Sequence, residues 1–201
     1  MSNFGTVSVV DPNDATRAGE FDTLFKTPVV INVEHHEIHE GGSFLCSTVN
    51  ATMSDTETLA LCFKTPAGTK RAHMFVGYVS KLSGHLDLLE APTWTTGSGT
   101  QQPIYNRKRL AGMTASVLLE DTTSTFVANG AMVRNPGSLA GGTSIEQYYT
   151  FGKKDKIGGG GHHSDDEWIL KPDTLYALRF TADENSNGGQ IMLNWYEHTD
   201  G

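Results

Sequence analysis

The chain has little of what several function classes require. Only two of its 201 residues are cysteine, Cys46 and Cys62, and they form no metal-binding motif. No apolar run approaches the length of a membrane span. The opening residues, Met1-Ser2-Asn3-Phe4, show no basic region followed by an apolar stretch, so no secretory signal is visible and synthesis in the cytoplasm is expected. Positive charge is scarce. Fifteen Lys and Arg face 23 Asp and Glu, a formal net charge of -8, which argues against nucleic-acid binding through a broad basic face. No long segment carries helical periodicity, and no tandem repeat marks a solenoid or propeller. Catalytic signatures are also wanting: there is no Gly-x-Ser-x-Gly elbow and no glycine-rich phosphate loop between a strand and a helix. Paired carboxylates for glycoside hydrolysis need not be near in sequence, but nothing singles one pair out.

What the chain does have is turns. Its 22 glycines stand largely beside Ser, Thr, Asn and Asp, a pattern that favours many short strands. About ten strands are predicted, in an all-β fold: a two-sheet β-sandwich of jelly-roll type over residues 28–201, preceded by an N-terminal arm over residues 1–27. In the arm Phe4, Phe21 and Phe25 are apolar but irregularly spaced. They pack either on a neighbouring subunit or at home, closing the sandwich. Residues 29–42 read as the first core strand. Val29, Ile31 and Val33 point one way, Ile38 falls on the opposite parity, and the slip implies a bulge at His35-His36 before the turn at Gly41-Gly42.

Residues 44–49 and 58–63 read as a hairpin that sets Cys46 opposite Cys62, with Leu45, Val49, Leu59, Leu61 and Phe63 on one face. A cross-strand disulfide and two free thiols are the alternatives, and a reducing cytosol favours the thiols. Residues 72–80 are apolar on both parities, as in a central or covered strand. Leu86 and Leu88 alternate inward. Residues 93–106 read as a long exposed loop, and residues 112–120 as a strand with Met113, Ala115, Val117 and Leu119 on one face. Gly158 to Gly161 read as a flexible loop. Tyr176, Leu178 and Phe180 share a core face. A hairpin turn at residues 184–189 leads to Ile191, Leu193 and Trp195 in the core.

Two polar clusters invite a chemical reading. On a regular strand His35, Glu37 and His39 share a face about 6–7 Å apart, and imidazoles with a carboxylate suit a divalent metal. A bulge would break that face, and the intervals match neither the helical His-Glu-x-x-His motif nor a cupin's His-x-His. A hydrogen-bonded polar patch at a sheet edge or subunit interface, titrating near pH 6.5, is the reading adopted, without a metal or other cofactor. His162, His163, Asp165, Asp166 and Glu167 offer oxygens and imidazoles, but a tetraglycine does not preorganise a calcium loop. Asn106-Arg107-Lys108-Arg109 is the one dense basic cluster, either a contact to an acidic partner or a solvated loop with local ion pairs.

Several stretches, taken together, resemble a family of tailed-bacteriophage virion structural proteins. They are Glu34 to Gly41, Ala72-His73-Met74, Leu88 to Pro92, Tyr105 to Arg109, Glu167 to Lys171 with Thr174-Leu175-Tyr176, and Leu193 to His198. They lie in the family's order and span most of the chain beyond the arm. Lys108 and the long tetraglycine loop depart from its pattern. The resemblance implies a non-enzymatic head decoration, or cement, protein on the capsid surface of the virion. It would be a homotrimer seated on the major capsid protein, with no nucleic-acid or membrane partner. In that setting Phe4, Phe21 and Phe25 would anchor the arm, and Arg107, Lys108 and Arg109 would meet acidic capsid surface. The alternative is a glycan-binding jelly-roll module of a phage fibre or tail, through Trp94, Tyr105, Tyr148 or Tyr149.

Overall fold

The computed structural model describes residues 10–11, 14–18, 33–110, 115–120, 131–152, 158–160 and 167–199. The fold is a sandwich of two antiparallel sheets. One has the strand order β11(Gly158–Gly160), β5(Lys70–Ser80), β14(Asn187–Thr199), β3(Ser43–Met53), β8(Tyr105–Asn106), with β12(Trp168–Ile169) also paired to β5. The other runs β10(Thr143–Thr150), β6(Gly84–Glu90), β13(Leu175–Ala182), β4(Thr58–Lys64), β9(Ala131–Arg134), β7(Thr100–Pro103). A separate pair, β1(Val10–Asp11) and β2(Asp14–Ala18), falls within the span of the predicted arm. Phe4, Phe21 and Phe25 lie outside the described residues. Among the described residues no helix is long and apolar enough to cross a membrane.

The core lies between the sheets. Leu59, Leu61 and Phe63 of β4 and Leu178 and Phe180 of β13 meet Met74, Ile191, Leu193 and Trp195 of the facing sheet, all essentially inaccessible. Phe44 stacks on Trp195 at 5.7 Å, and Phe63 on Tyr176 at 5.9 Å. Each such side chain contributes about 1.5–3 kcal/mol by leaving water. The alternation predicted for Leu86 and Leu88, for Tyr176, Leu178 and Phe180, and for the last strand is what these strands display. β5 is an interior strand, as its two apolar faces imply.

Six local predictions are corrected. Residues 44–49 and 58–63 do not pair: β3 bonds to β14 and β8, while β4 bonds to β13 and β9 in the opposite sheet. The reason is cover. β4 buries Ala60 and Cys62 on its second face as well, level with Val133 and Ala177 of its neighbouring strands and packed by Trp94 and Leu139, and so needs a layer on both sides. The connection between them is a corner, held by Glu57, whose carboxylate accepts from the Ser54 backbone N–H at 2.8 Å and Asn50 Nδ2 at 3.0 Å. β3 also turns the other parity inward. Phe44, Cys46 and Thr48 are buried, whereas Val49 is 55% exposed. Cys46 and Cys62 are free thiols.

Residues 93–106 are not one loop but contain β7 and β8. Residues 115–120 form only an isolated bridge, Leu119 to Lys64, and it is Leu118 that enters the core. Gly158–Gly160 pair with Tyr78, Val79 and Ser80 as an edge strand, which the lack of side chains permits. The 184–189 turn joins strands of different sheets and is not a hairpin. The sixth correction bears on the site.

Candidate functional site

Residues Val33–Glu40 form a helix, α1, not a strand. The bulge expected at His35-His36 is helix instead, and residues 29–32 of the expected strand lie outside the described residues. Gly41 ends the helix in the left-handed region at φ +84°, where glycine carries no Cβ penalty. The Gly42 N–H donates to the Glu37 carbonyl at 2.9 Å, and the Gly41 N–H to the Glu37 and Ile38 carbonyls at 3.1 and 3.2 Å. α1 lies against β14 and β3.

This geometry breaks up His35, Glu37 and His39. Residues two apart on a helix are about 200° apart around its axis, so the three share no face. The structure instead gathers His36, Glu37 and Glu40, whose ligating atoms all lie within 4.8 Å of one another. His36 Nε2 is 3.2 Å from Glu40 Oε1. Glu37 is 7% exposed, and His39 is exposed. The cluster opens on a cavity of about 310 Å³, also lined by Gly42, Lys70, Glu197 and His198.

The basic stretch arrives at the same corner. Asn106 Nδ2 donates to the Gly41 carbonyl at 2.7 Å, and the Arg107 N–H to the Ser43 carbonyl at 2.9 Å. Lys108 Nζ donates to the His39 carbonyl at 2.5 Å, a cation placed on the negative end of the helix. Arg109 lies 5.5 Å over the Tyr105 ring. Two stretches that sequence reading kept apart are thus one feature: the basic stretch caps the histidine-rich helix. Glu197, on the cavity wall, accepts from Ser116 Oγ at 2.5 Å, Val117 N–H at 3.0 Å and Trp195 Nε1 at 3.1 Å. Burial raises its pKa above the usual carboxylate value, against the opposing pull of those bonds and of Lys70.

Other polar side chains are committed to the fold. The second cluster keeps only Glu167 within the described residues. Its carboxylate bonds to His73 Nδ1 and accepts from Tyr196 OH at 2.9 Å, while the His73 and Tyr196 rings stack at 4.6 Å. His162, His163, Asp165 and Asp166 lie outside the described residues. Asp87, buried, takes Gln147 Nε2 at 2.7 Å and Arg179 Nη2 at 3.1 Å.

The aromatic candidates divide. Trp94 packs beside Val133, and Tyr148 on the main core. Tyr105 and Tyr149 are exposed. Tyr149 stacks with Phe151, which is 86% exposed, at 6.3 Å, and lies 5.4 Å from the His85 ring. The sequence carries no signal that Phe151 lies at the surface, since an apolar side chain at the end of a strand suits core and rim alike.

No family model matches the chain, and no curated protein or solved structure matches it either.

Proposed function

We propose that the chain is a structural, non-enzymatic component of a tailed-bacteriophage virion: a head decoration protein that binds and stabilises the major capsid lattice as a homotrimer. The observation that carries this reading is the apolar surface at β10, an edge strand of its sheet, where Tyr149 and Phe151 stand stacked and open to water. Exposed aromatic pairs of this kind suit a protein interface. Strand order supports a jelly roll. β3-β14-β5-β11 faces β4-β13-β6-β10, and β3, β4, β5 and β6 alternate between sheets, the pattern of two wound Greek keys. The sequence resemblance supplies the virion setting. Binding only the assembled shell would stabilise it by mass action, and three linked copies would multiply weak contacts. Arg107 and Arg109 remain the candidates for acidic capsid surface, beside an arm anchored by Phe4, Phe21 and Phe25.

In a co-sedimentation assay with purified heads, Tyr149→Ser with Phe151→Ser should lower occupancy by about tenfold or more while far-ultraviolet circular dichroism stays unchanged. Wild-type occupancy by the folded double variant refutes this interface. The same stacked pair also favours a second reading, a glycan-binding module on a fibre or tail, since aromatic faces take sugar rings. Saturable binding on a glycan array, lost in that double variant, with no binding to heads, would select it.

A further inference from the structure

Among the described side chains of α1, those of residues 36–40, the most buried is a carboxylate. Glu37 is 7% exposed, and among the described residues its carboxylate makes no hydrogen bond or ion pair. A carboxylate with so little exposure and no protein partner is open to a cation from the side of the cavity it lines. The chain makes room for it. A Cβ at Gly42 would stand 2.7 Å from Glu37 Oε2, so only glycine lets the carboxylate lie where it does.

We propose that His36, Glu37 and Glu40 bind a divalent first-row transition ion, zinc in type, in the cavity between α1 and the end of β14. An imidazole nitrogen and two carboxylate oxygens form a donor set that zinc accepts. Bonds of about 2.0–2.1 Å set neighbouring ligands of a tetrahedral ion roughly 3.3 Å apart, and His36 Nε2 and Glu40 Oε1 are 3.2 Å apart. Glu37 lies within 4.8 Å of both, and a shift of about 1–2 Å completes three ligands at such bond lengths. The i, i+1, i+4 spacing on one helix turn brings them together. The remaining position faces the cavity, where His198 lies on the wall. Lys70, also on the wall, acts on Glu197. With His198 of β14 as the fourth ligand, the ion would also tie α1, whose sequence has no apolar stripe, to the sandwich. The inference is independent of the virion reading.

The test is a zinc titration of chelator-treated full-length protein by calorimetry, with thermal unfolding in parallel and the visible absorption of cobalt(II) as a ligand-field readout. One ion per chain is expected, with a higher Tm in zinc than in magnesium. Glu37→Gln and His36→Ala should each weaken binding by about tenfold or more and remove the Tm shift. Gly42→Ala keeps every ligand but displaces the Glu37 carboxylate, and should weaken binding likewise. His36 is only half-buried, so His36→Ala reports even if Glu37→Gln fails to fold. The joint variant His162→Ala with His163→Ala should bind as the wild type does. The proposal is overturned if the wild type takes up no zinc, if folded His36→Ala binds as tightly as wild type, or if binding follows His162 and His163.

Discussion

Asn187 uses both ends of its amide inside the protein. Its Oδ1 accepts from the Leu82 N–H at 2.7 Å and the Gly188 N–H at 2.8 Å, and its Nδ2 donates to the Ser83 carbonyl at 2.7 Å. The side chain is fully buried and ties the turn after β5 to the start of β14. Asn187→Ala leaves these groups without partners and should cost about 3 kcal/mol, read as a lower midpoint in urea denaturation. Glu197 sets a pH dependence. Its folded pKa is raised, mainly by burial, above the ordinary 4.5. Between those two values the folded chain holds the proton and the unfolded chain does not. Its contribution to stability therefore grows as pH falls toward 4.5 and is lost as pH rises through the folded value. The stability of the wild type relative to Glu197→Gln should increase from pH 7 to pH 5, and a flat or opposite trend would contradict this environment for Glu197. The thiols give a third check. Burial pushes Cys46 up to about 12 and Cys62 higher still, so both should resist thiol reagents in the native protein and react fully in denaturant.

Among the elements, Phe180 of β13 is wedged between Gly84 of β6 and Gly189 of β14. A Cβ at Gly84 would stand 2.5 Å from Phe180 Cζ, and one at Gly189 would stand 2.5 Å from Phe180 Cδ1. The ring fills the gap between the sheets only because both strands carry glycine there. Gly189→Ala should destabilise by about 1–3 kcal/mol through overpacking, measured as a fall in Tm. The strands were legible where apolar residues recur at every second position, as at Leu86 and Leu88 or Ile191, Leu193 and Trp195. They were not legible at the corners, because a turn between two alternating runs looks the same whether the runs pair or pass to opposite sheets. Cys46 and Cys62 were set opposite each other for that reason. Nor was α1 legible. Glu and His alternate there without an apolar stripe, so helical period had nothing to mark it. Yet Asn32 precedes the helix and Gly41 follows it, the residue types that commonly flank helices. Reading those flanks would have placed His36, Glu37 and Glu40 on one face.

At the scale of the whole molecule, the sandwich buries its polar networks and leaves its apolar surplus at the margins. Asp87, Glu197 and Glu167 each hold several partners, whereas Phe151, Tyr149, Leu110 and Ile169 are open to solvent. That division suits a rigid body that meets other subunits through its rim, and it is the physical support for the proposed subunit contacts, the virion setting resting on the sequence resemblance alone. The most direct test is an electron-microscopy reconstruction of the purified particle at side-chain resolution. A head decoration role predicts three copies of this sandwich around a lattice axis of the head, with β10 and its Tyr149–Phe151 pair buried against capsid or neighbouring copy. A head lattice without density for this chain, or copies whose β10 rim faces only solvent, would contradict it.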